Sequence, residues 1–524
     1  MEPSLVRDFL SPKLKDLSPP DRMLGRDVAA VRLARAVRAK ERIVVFGDYD
    51  VDGTTSAAIL SGVLAALGGD VTTLLASRFD GGYGLSDKAL ARVLDASPGV
   101  VVTCDCGSSD HERIRTLRSR GIDVVVVDHH LVPKESLPAN AFLNPHRPEC
   151  AFPFKHMTSA GLALSLSGAV RAALGSSLDL KTWLDLVALG TIADVAPLVG
   201  DNRRLVRAGL AVLASPDARP GIAALRDVAK MKAGMAVGAA DVAFKLGPRL
   251  NAAGRLGDPA ITLQLLQASS AASARALAAT IEQLNQERKA IEARVTAAAV
   301  AQAKEVYGSA PAGPIVVASA EWHRGVVGIS AARLVEEFGT AVVVAAVEDG
   351  VAHGSARAPD GFPLYDCLLP GRAEYLSFGG HQAAAGVSFN VSRLDAVRAA
   401  FSDGATKVTL REPVPLANAA DVAIDGDAFS LPTVAELRQL EPVGEGNEEP
   451  VFVLPSVRVE RATVVGGAHL KLTVRVGKAT LSAFGPNLGS RCPSPGASLE
   501  LLATLSPDTW SGADKLELKV RDFR

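Results

Sequence analysis

The stretch Ile43-Val-Val-Phe-Gly-Asp-Tyr-Asp-Val-Asp-Gly53 constrains this chain more than any other. An apolar run of strand length breaks off into acids at alternate positions, Asp48, Asp50 and Asp52, and an Ala/Leu-rich segment of helical pattern follows Gly53, Thr54 and Thr55. In an open α/β sheet, ligands sit in the crevice outside the carboxyl ends of the strands, and these acids fall there. Carboxylates this close repel one another unless something positive lies among them, and a divalent cation is the usual neutraliser. The stretch therefore predicts a metal.

The chain around it has 524 residues, too many for one ordinary core, which predicts roughly two to four domains. Its 56 basic residues balance 57 acidic ones, so a polyanion has to be held by a local patch or by metal. Cys104, Cys106, Cys150, Cys367 and Cys492 are odd in number and lack Cys-x-x-Cys spacing, which points to a reducing compartment. The start lacks a basic segment followed by an apolar one, and no apolar run approaches about 18 residues. The expectation is a cytoplasmic protein without membrane contact.

Residues 1–41 read as a helical lead-in broken at Pro19 and Pro20. From residue 42, strand-like runs at 43–46, 71–76, 100–103 and 124–127 alternate with helical segments over 55–67, 86–95 and 109–120. That alternation predicts βαβ units and a parallel sheet covered on both faces, so the fold class is α/β. The element ends keep delivering ligand-type residues: Asp105 after the third run, Asp128-His129-His130 after the fourth, and Asp194 after a helical segment from Trp183. A single strand-end Asp is often only a helix cap or turn former. Clusters at successive element ends predict instead one converged site of carboxylates and imidazoles. Such a mixture suits Mn²⁺ or Mg²⁺ better than zinc. The acids exceed the needs of one ion, so two ions about 3.5–4 Å apart are expected, with phosphoester or phosphoanhydride hydrolysis as the chemistry.

Further along, Gly247-Pro-Arg-Leu-Asn-Ala-Ala-Gly-Arg255 sets Arg249, Asn251 and Arg255 among small residues that allow close backbone approach, and arginine forks match phosphate geometry. The plainer reading is a packing loop with solvated arginines. Residues 271–307 contain neither Gly nor Pro, which predicts one helix about 55 Å long at 1.5 Å per residue, a strut between two domains. A catalytic unit over 42–260, the connecting segment over 261–307, a second α/β unit over 308–412 and a linker plus barrel over 413–524 complete the expected division. The barrel rests on five short strand-like runs after residue 450, which fit an OB-fold. Arg458, Arg461, Lys471, Arg475 and Lys478 form a modest basic patch there, with Phe484 and Trp510 the main aromatics.

Asp48-Tyr-Asp-Val-Asp-Gly53, Asp128-His-His130 and Gly379-Gly-His-Gln-Ala-Ala-Ala-Gly386 resemble the DHH/DHHA1 phosphoesterase superfamily. Gly82-Tyr-Gly-Leu85, the run from Asp185 to Leu198, Gly247 to Leu256, Leu284 to Lys289, Trp322 to Ile329 and Leu440 to Asn447 narrow the resemblance to the RecJ family of single-strand-specific 5′-to-3′ DNA exonucleases. The resemblance implies a DHH domain, a DHHA1 clamp and an OB-fold acting in DNA repair and recombination. It implies Asp50, Asp52, Asp105, His129 and Asp194 as metal ligands, Asp105 as the bridge, Asp48 and Asp128 as supports (Asp48 itself a candidate ligand), and His130 facing substrate or leaving group. Asp105, Asp128, His129 and His130 are the catalytic candidates. Arg78, Arg249, Asn251, Arg255, Ser355, Arg357, Gly380 and His381 are the substrate-binding ones.

Two positions depart from the pattern: Cys106 stands where many relatives carry Asn, and Phe46 where some carry a metal-binding His. Implied partners are single-stranded DNA, single-strand-binding protein, a helicase and mismatch-repair proteins, with the chain a monomer. A small-substrate DHH/DHHA1 phosphodiesterase and an inactive DNA-binding scaffold are the alternatives. The strut and barrel speak against the first, and the complete acid set against the second.

Overall fold

The computed structural model describes residues 3–232, 234–380, 384–408, 420–424, 430–507 and 515–524. The first sheet contains β1 (Arg42–Gly47), β2 (Asp70–Leu75), β3 (Val100–Cys104), β4 (Asp123–Val127) and β5 (Ala141–Leu143), all parallel in the order β2-β1-β3-β4-β5. Valine-rich strands suit this position because helices cover both faces. Ile43, Val45, Val100 and Val102 pack toward the helices Val51–Ala66, Ser159–Ala173 and Leu184–Ala193. Val44, Phe46, Val101 and Val126 pack on the other side with Leu85 and Ile114. The helix Arg26–Ala39, expected as part of a lead-in, buries Leu33, Ala36 and Val37 in the first of these cores.

Strand register explains why the acidic motifs meet. Gly47 pairs with Cys104 and Cys104 with Val127, so the next residues, Asp48, Asp105 and Asp128, leave the sheet along one line. Their amides continue the ladder, from Asp48 to the Cys104 carbonyl (3.2 Å), Asp105 to Val127 (2.9 Å) and Asp128 to Leu143 (3.0 Å). The chain leaves β1 toward β2 on one side and returns to β3 on the other, so β1 and β3 flank the switch point where such sheets open a crevice.

The helix Ala271–Tyr307 is continuous over its 37 residues, with the bounds expected from its composition. Its ends are anchored in different cores: Ala274, Ala278 and Ile281 in the first, and Val295, Ala299 and Ala303 in the second. That second unit holds β6 (Ile315–Ser319), β7 (Val342–Glu348), β8 (Val351–Arg357), β9 (Ser377–Gly380) and β10 (Ala384–Asn390) in the order β6-β7-β8-β10-β9. Only β6 and β7 are parallel; the other pairings are antiparallel. Local chemistry accounts for this: Asp349 (φ 49°) and Gly350 (φ 78°) form the two-residue hairpin loop between β7 and β8 that Asp-Gly favours.

A short strand β11 (Val422–Ala423) leads into the barrel strands β12 (Phe452–Val465), β13 (His469–Val476), β14 (Ala479–Gly485), β15 (Ser498–Pro507) and β16 (Leu516–Phe523). Their order is β12-β13-β14-β16-β15, and β15 pairs back onto β12 to close a five-stranded barrel of the OB type. Leu454, Leu472, Val474, Leu501 and Leu518 fill it. Trp510 lies outside the described residues. Among the described residues, no helix is long and apolar enough to cross a membrane.

Candidate metal centre and phosphate cleft

The strand-end acids and the Asp-His-His turn converge. Ligand atoms lie within 4.8 Å of one another in each of three trios: Asp52, His129 and Asp194; Asp105, His129 and His130; and Asp48, Asp50 and Asp105. The Nε2 of His129 stands 3.3 Å from Asp105, 3.7 Å from Asp194 and 4.0 Å from Asp52. Three of the acids are held from behind. Asp50 caps the helix Val51–Ala66 by accepting from the Gly53 amide (2.9 Å). Asp52 accepts from the Ser159 and Ala160 amides (2.8 and 3.0 Å) at the start of the helix Ser159–Ala173, where the helix dipole favours an anion. Asp105 sits at φ 64°, a left-handed conformation Asp tolerates better than most residues, and accepts from the Ser159 hydroxyl (2.9 Å).

Asp128 plays a different part. Its oxygens accept from the amides of Ser108 (3.0 Å), His129 (2.8 Å) and His130 (3.2 Å) and lie 2.8 Å from Nδ1 of His130. Burial would raise its proton affinity, but these bonds and the adjacent imidazole hold it well below the usual carboxylate range. Burial likewise opposes charge on His130, yet Asp128 raises it to about 9. Asp128 thus fixes an imidazolium whose ring also meets the Tyr83 hydroxyl (3.0 Å).

The remaining acids are electrostatically frustrated. Burial and then the charge of Asp50 push Asp52 up to about 7, and burial with Asp52 and Asp50 pushes Asp194 up to about 8. Asp48 and Asp105 rise well above the carboxylate range for the same two reasons, burial and Asp50. Asp48 Oδ1 is buried with no hydrogen-bond partner among the described residues. Oxygen-rich, imidazole-containing and short of positive charge, this donor set fits hard divalent cations. The metal-free protein should lose stability as pH rises from about 5 to 8. Asp52 and Asp194 hold protons in the folded state up to about 7 and 8 against an ordinary 3.8, so unfolding releases protons across that window. Calorimetry in chelator should record a falling melting temperature, and Mn²⁺ should remove the fall.

Above the acids, a cavity of about 250 Å³ is lined by Tyr49, Asp50, Asp52, Arg78, Asp194, Asn251 and Arg255, among others. The segment of small residues, for which a packing loop is the plainer alternative in the sequence, is a helix, Gly247–Leu256. A Cβ on Gly254 would come 2.8 Å from the Tyr49 carbonyl oxygen, so glycine here lets the helix press against the acidic loop. Gly254→Val should therefore push the helix off the site, lowering the melting temperature and Mn²⁺ affinity together, at roughly 1–3 kcal/mol for overpacking.

Helical phase separates the three candidates on that helix. Asn251 and Arg255, one turn apart, line the cavity, whereas Arg249 turns away and pairs with Glu282 of the strut (2.6 Å). Arg78 reaches the cavity over the Tyr49 ring (4.5 Å). From the second unit, Arg357 donates to the Ser355 hydroxyl (2.8 Å), and both lie beside Gly328 in the first turn of the helix Val327–Phe338. The two units touch here: Arg255 donates to the Gly325 carbonyl (3.1 Å), and Phe79 meets His323 edge-on at 6.0 Å. Burial first, then Arg78, Arg288 and Arg357, lowers the proton affinity of Arg255 to about 10. Cations crowded this closely beside the acidic cluster mark a place for an anion. Gly380 ends β9 and is exposed, and His381 lies outside the described residues.

The match to known families follows these domains: the DHH family N-terminal domain over residues 42–191, the DHHA1 domain over 312–406 and the RecJ OB domain over 420–522. The single-stranded-DNA-specific exonuclease RecJ of Dickeya dadantii (strain 3937) is 38% identical over 475 residues, covering 86% of this chain and 82% of that protein. The chain belongs to the RecJ family. RecJ of Thermus thermophilus is 35% identical over 517 residues, covering 97% of this chain and 73% of that one. Crystal structures of RecJ from Thermus thermophilus in complex with Mn²⁺ and with Mg²⁺ superpose with TM-scores of 0.84 and 0.76, at 33% and 31% identity. Each covers 99% of this chain, which spans 74% and 72% of theirs.

Within this RecJ architecture, Phe46 is wholly buried in the apolar layer behind the site, and Cys106 lies in the same layer, its thiol 3.6 Å from the Cys104 carbonyl. Sequence reasoning left several residues around the site without a role. Tyr83 donates to the Asp105 carbonyl (3.1 Å), Ser159 holds Asp105, and buried Asn144, immediately after β5, donates to the His130 carbonyl (2.8 Å). Asn144 was readable by the strand-end logic that found the acids. The cavity joins, through Ala193, Asn251 and Arg255, a groove of about 800 Å³ that passes Val195, Phe244 and Arg288 to Lys519 and Arg521 on the barrel. None of the five basic barrel residues picked from sequence lines this groove; β16 supplies its cations instead.

Proposed function

We propose that this chain is a single-stranded-DNA-specific exonuclease that hydrolyses phosphodiester bonds stepwise from the 5′ end with two Mn²⁺ or Mg²⁺ ions, in DNA repair and recombination. What carries the reading is one juxtaposition. Asp50, Asp52, Asp105, His129 and Asp194, buried or half-buried, gather beside an arginine-lined cavity that opens into a groove ending on an OB barrel. Asp50, Asp52, Asp105, His129 and Asp194 would hold the ions, with Asp105 between them and Asp48 in support. Bound there, the ions would acidify a water and neutralise the phosphoryl oxygens.

The protein side chains supply the rest. His130, kept protonated by Asp128 and oriented by Tyr83, stands where it can give a proton or a hydrogen bond to the leaving oxygen. Arg78, Arg255, Ser355 and Arg357 fix the terminal phosphate by charge-assisted bonds, and Asn251 and the helix Gly247–Leu256 form the wall against which the terminal nucleotide seats. Gly380 and His381 belong to the same clamp, and Arg249 acts indirectly by tying the helix to the strut.

The division into 1–41, 42–260, 261–307, 308–412 and 413–524, a monomeric state and a cytoplasmic location belong to the same reading. So do single-strand-binding, helicase and mismatch-repair partners. Support for the monomer is that one chain supplies every group of the cleft. The direct test offers a 5′-phosphorylated 40-mer single strand, its duplex and a dinucleotide side by side with Mn²⁺. Mononucleotide release from the 5′ end of the single strand is expected, and preferential cleavage of the duplex or of the dinucleotide contradicts the assignment.

A further inference from the structure

The inward stripe of the strut is apolar at both ends and polar in the middle. Ala274, Ala278 and Ile281 sit in the first core and Val295, Ala299 and Ala303 in the second, while Asn285 and Arg288 occupy the same stripe between them. Both are buried, at 0% and 7% exposure, where the helix crosses from one unit to the other. A helix serving only as a spacer gains nothing from a buried guanidinium there, because desolvating a cation is costly unless it is paired.

Arg288 is held but not consumed. Glu292 accepts from one terminal nitrogen (2.6 Å) and the Asn285 side-chain carbonyl from the other (2.8 Å). The Nε of Arg288 and the Nδ2 of Asn285 are buried donors with no hydrogen-bond partner among the described residues. Orphaned buried donors cost about 1–3 kcal/mol each, a cost that a bound acceptor removes. Arg288 lines the groove that leads from Asn251 and Arg255 toward Lys519 and Arg521. Its two contacts within the helix engage the terminal nitrogens and leave Nε, which can donate to a phosphate oxygen.

We infer that Arg288 is a substrate-binding residue that grips an internucleotide phosphate of the single strand between the cleavage site and the barrel, with Asn285 and Glu292 as positioning residues that aim it. This rests on the strand path proposed above and makes the connecting helix part of the substrate track rather than a spacer. A dinucleotide ends before the strut, so the contribution of Arg288 should depend on substrate length.

The test compares wild type with Arg288→Gln, Arg288→Lys and Asn285→Ala on a phosphorylated dinucleotide and a phosphorylated single-stranded 20-mer, together with 20-mer binding across a salt series. Arg288→Gln should weaken 20-mer binding about tenfold, the effect of losing a charge-assisted contact. Its loss on the 20-mer should exceed its loss on the dinucleotide by a similar factor. The magnitude of the salt slope should fall by about 0.7, one phosphate contact on a single strand. Arg288→Lys, which keeps the charge and the packing of the stem, should restore the slope but not the full affinity. Mn²⁺ affinity, read separately by titration, should stay with the wild type. Equal losses on both substrates, or an unchanged salt slope in a folded Arg288→Gln protein, overturn the inference while leaving the nuclease assignment standing. A wild type that neither binds nor cuts the 20-mer overturns both.

Discussion

Asp105→Asn is expected to reduce cleavage of a single-stranded substrate by about three orders of magnitude. A carboxylate shared between two ions contributes several kcal/mol of transition-state stabilisation, and each 1.36 kcal/mol is about tenfold in rate. Asn is the informative replacement because Asp105 has φ 64°, where Asn sits almost as comfortably as Asp and Ala does not. The amide also keeps an oxygen for the Ser159 hydroxyl, which stands 2.9 Å away. Stability should move the other way. Burial and the charges of Asp50, Asp52 and Asp194 push Asp105 toward protonation, so the neutral amide removes the cost of taking up that proton on folding the metal-free protein. Its melting temperature in chelator should hold or rise while the Mn²⁺-induced rise shrinks. Single-turnover cleavage and calorimetry on the same samples check both halves, and undiminished cleavage would remove Asp105 from the metal centre.

Arg78→Ala and Arg357→Ala are each expected to lower kcat/KM on a 5′-phosphorylated single strand by about 10- to 100-fold, the loss of a charged hydrogen bond of about 1.5–3 kcal/mol. The more specific expectation concerns the strand end. Burial and then the charge of Arg78 lower the proton affinity of both Arg255 and Arg357, so Arg78 from the first unit and Arg357 from the second crowd their charges at the same cleft. A terminal phosphate is the anion this arrangement suits, so the wild type is expected to prefer a phosphorylated over a hydroxyl 5′ end and the variants to lose that preference. Steady-state kinetics on the matched pair of substrates separates this from a general loss of binding, which would lower both equally.

The parts of the fold legible in the sequence are those governed by local rules. The strut showed its bounds because 37 residues without Gly or Pro leave the backbone no place to stop. The parallel sheet was legible from valine-rich runs that end in acids, and register then carried Asp48, Asp105 and Asp128 to one line without further instruction. What stayed hidden depends on phase and distance. Arg249 and Arg255 looked equivalent in a string of small residues, and only helical geometry turns one toward the strut and the other into the cavity. Tyr83 and Ser159 meet Asp105 from segments 22 and 54 residues away in sequence, a pairing no local pattern encodes. On the barrel, the alternation in Leu516-Glu-Leu-Lys-Val-Arg521 places Lys519 and Arg521 on one face, but which face meets the groove is decided by how the barrel docks. That docking runs through Arg203, which donates to the carbonyls of Phe9, Gln439, Leu440 and Pro442, and through the Leu198 amide bound to Glu445 at 2.7 Å, four residues beyond Asp194.

The most direct test is the anomalous scattering of Mn²⁺ in crystals of the wild-type protein grown with a short single strand. Two peaks about 3.5–4 Å apart, enclosed by Asp50, Asp52, Asp105, His129 and Asp194 and with Asp105 between them, are the predicted result. Manganese density elsewhere on the chain, or none among these side chains at saturating Mn²⁺, would contradict it.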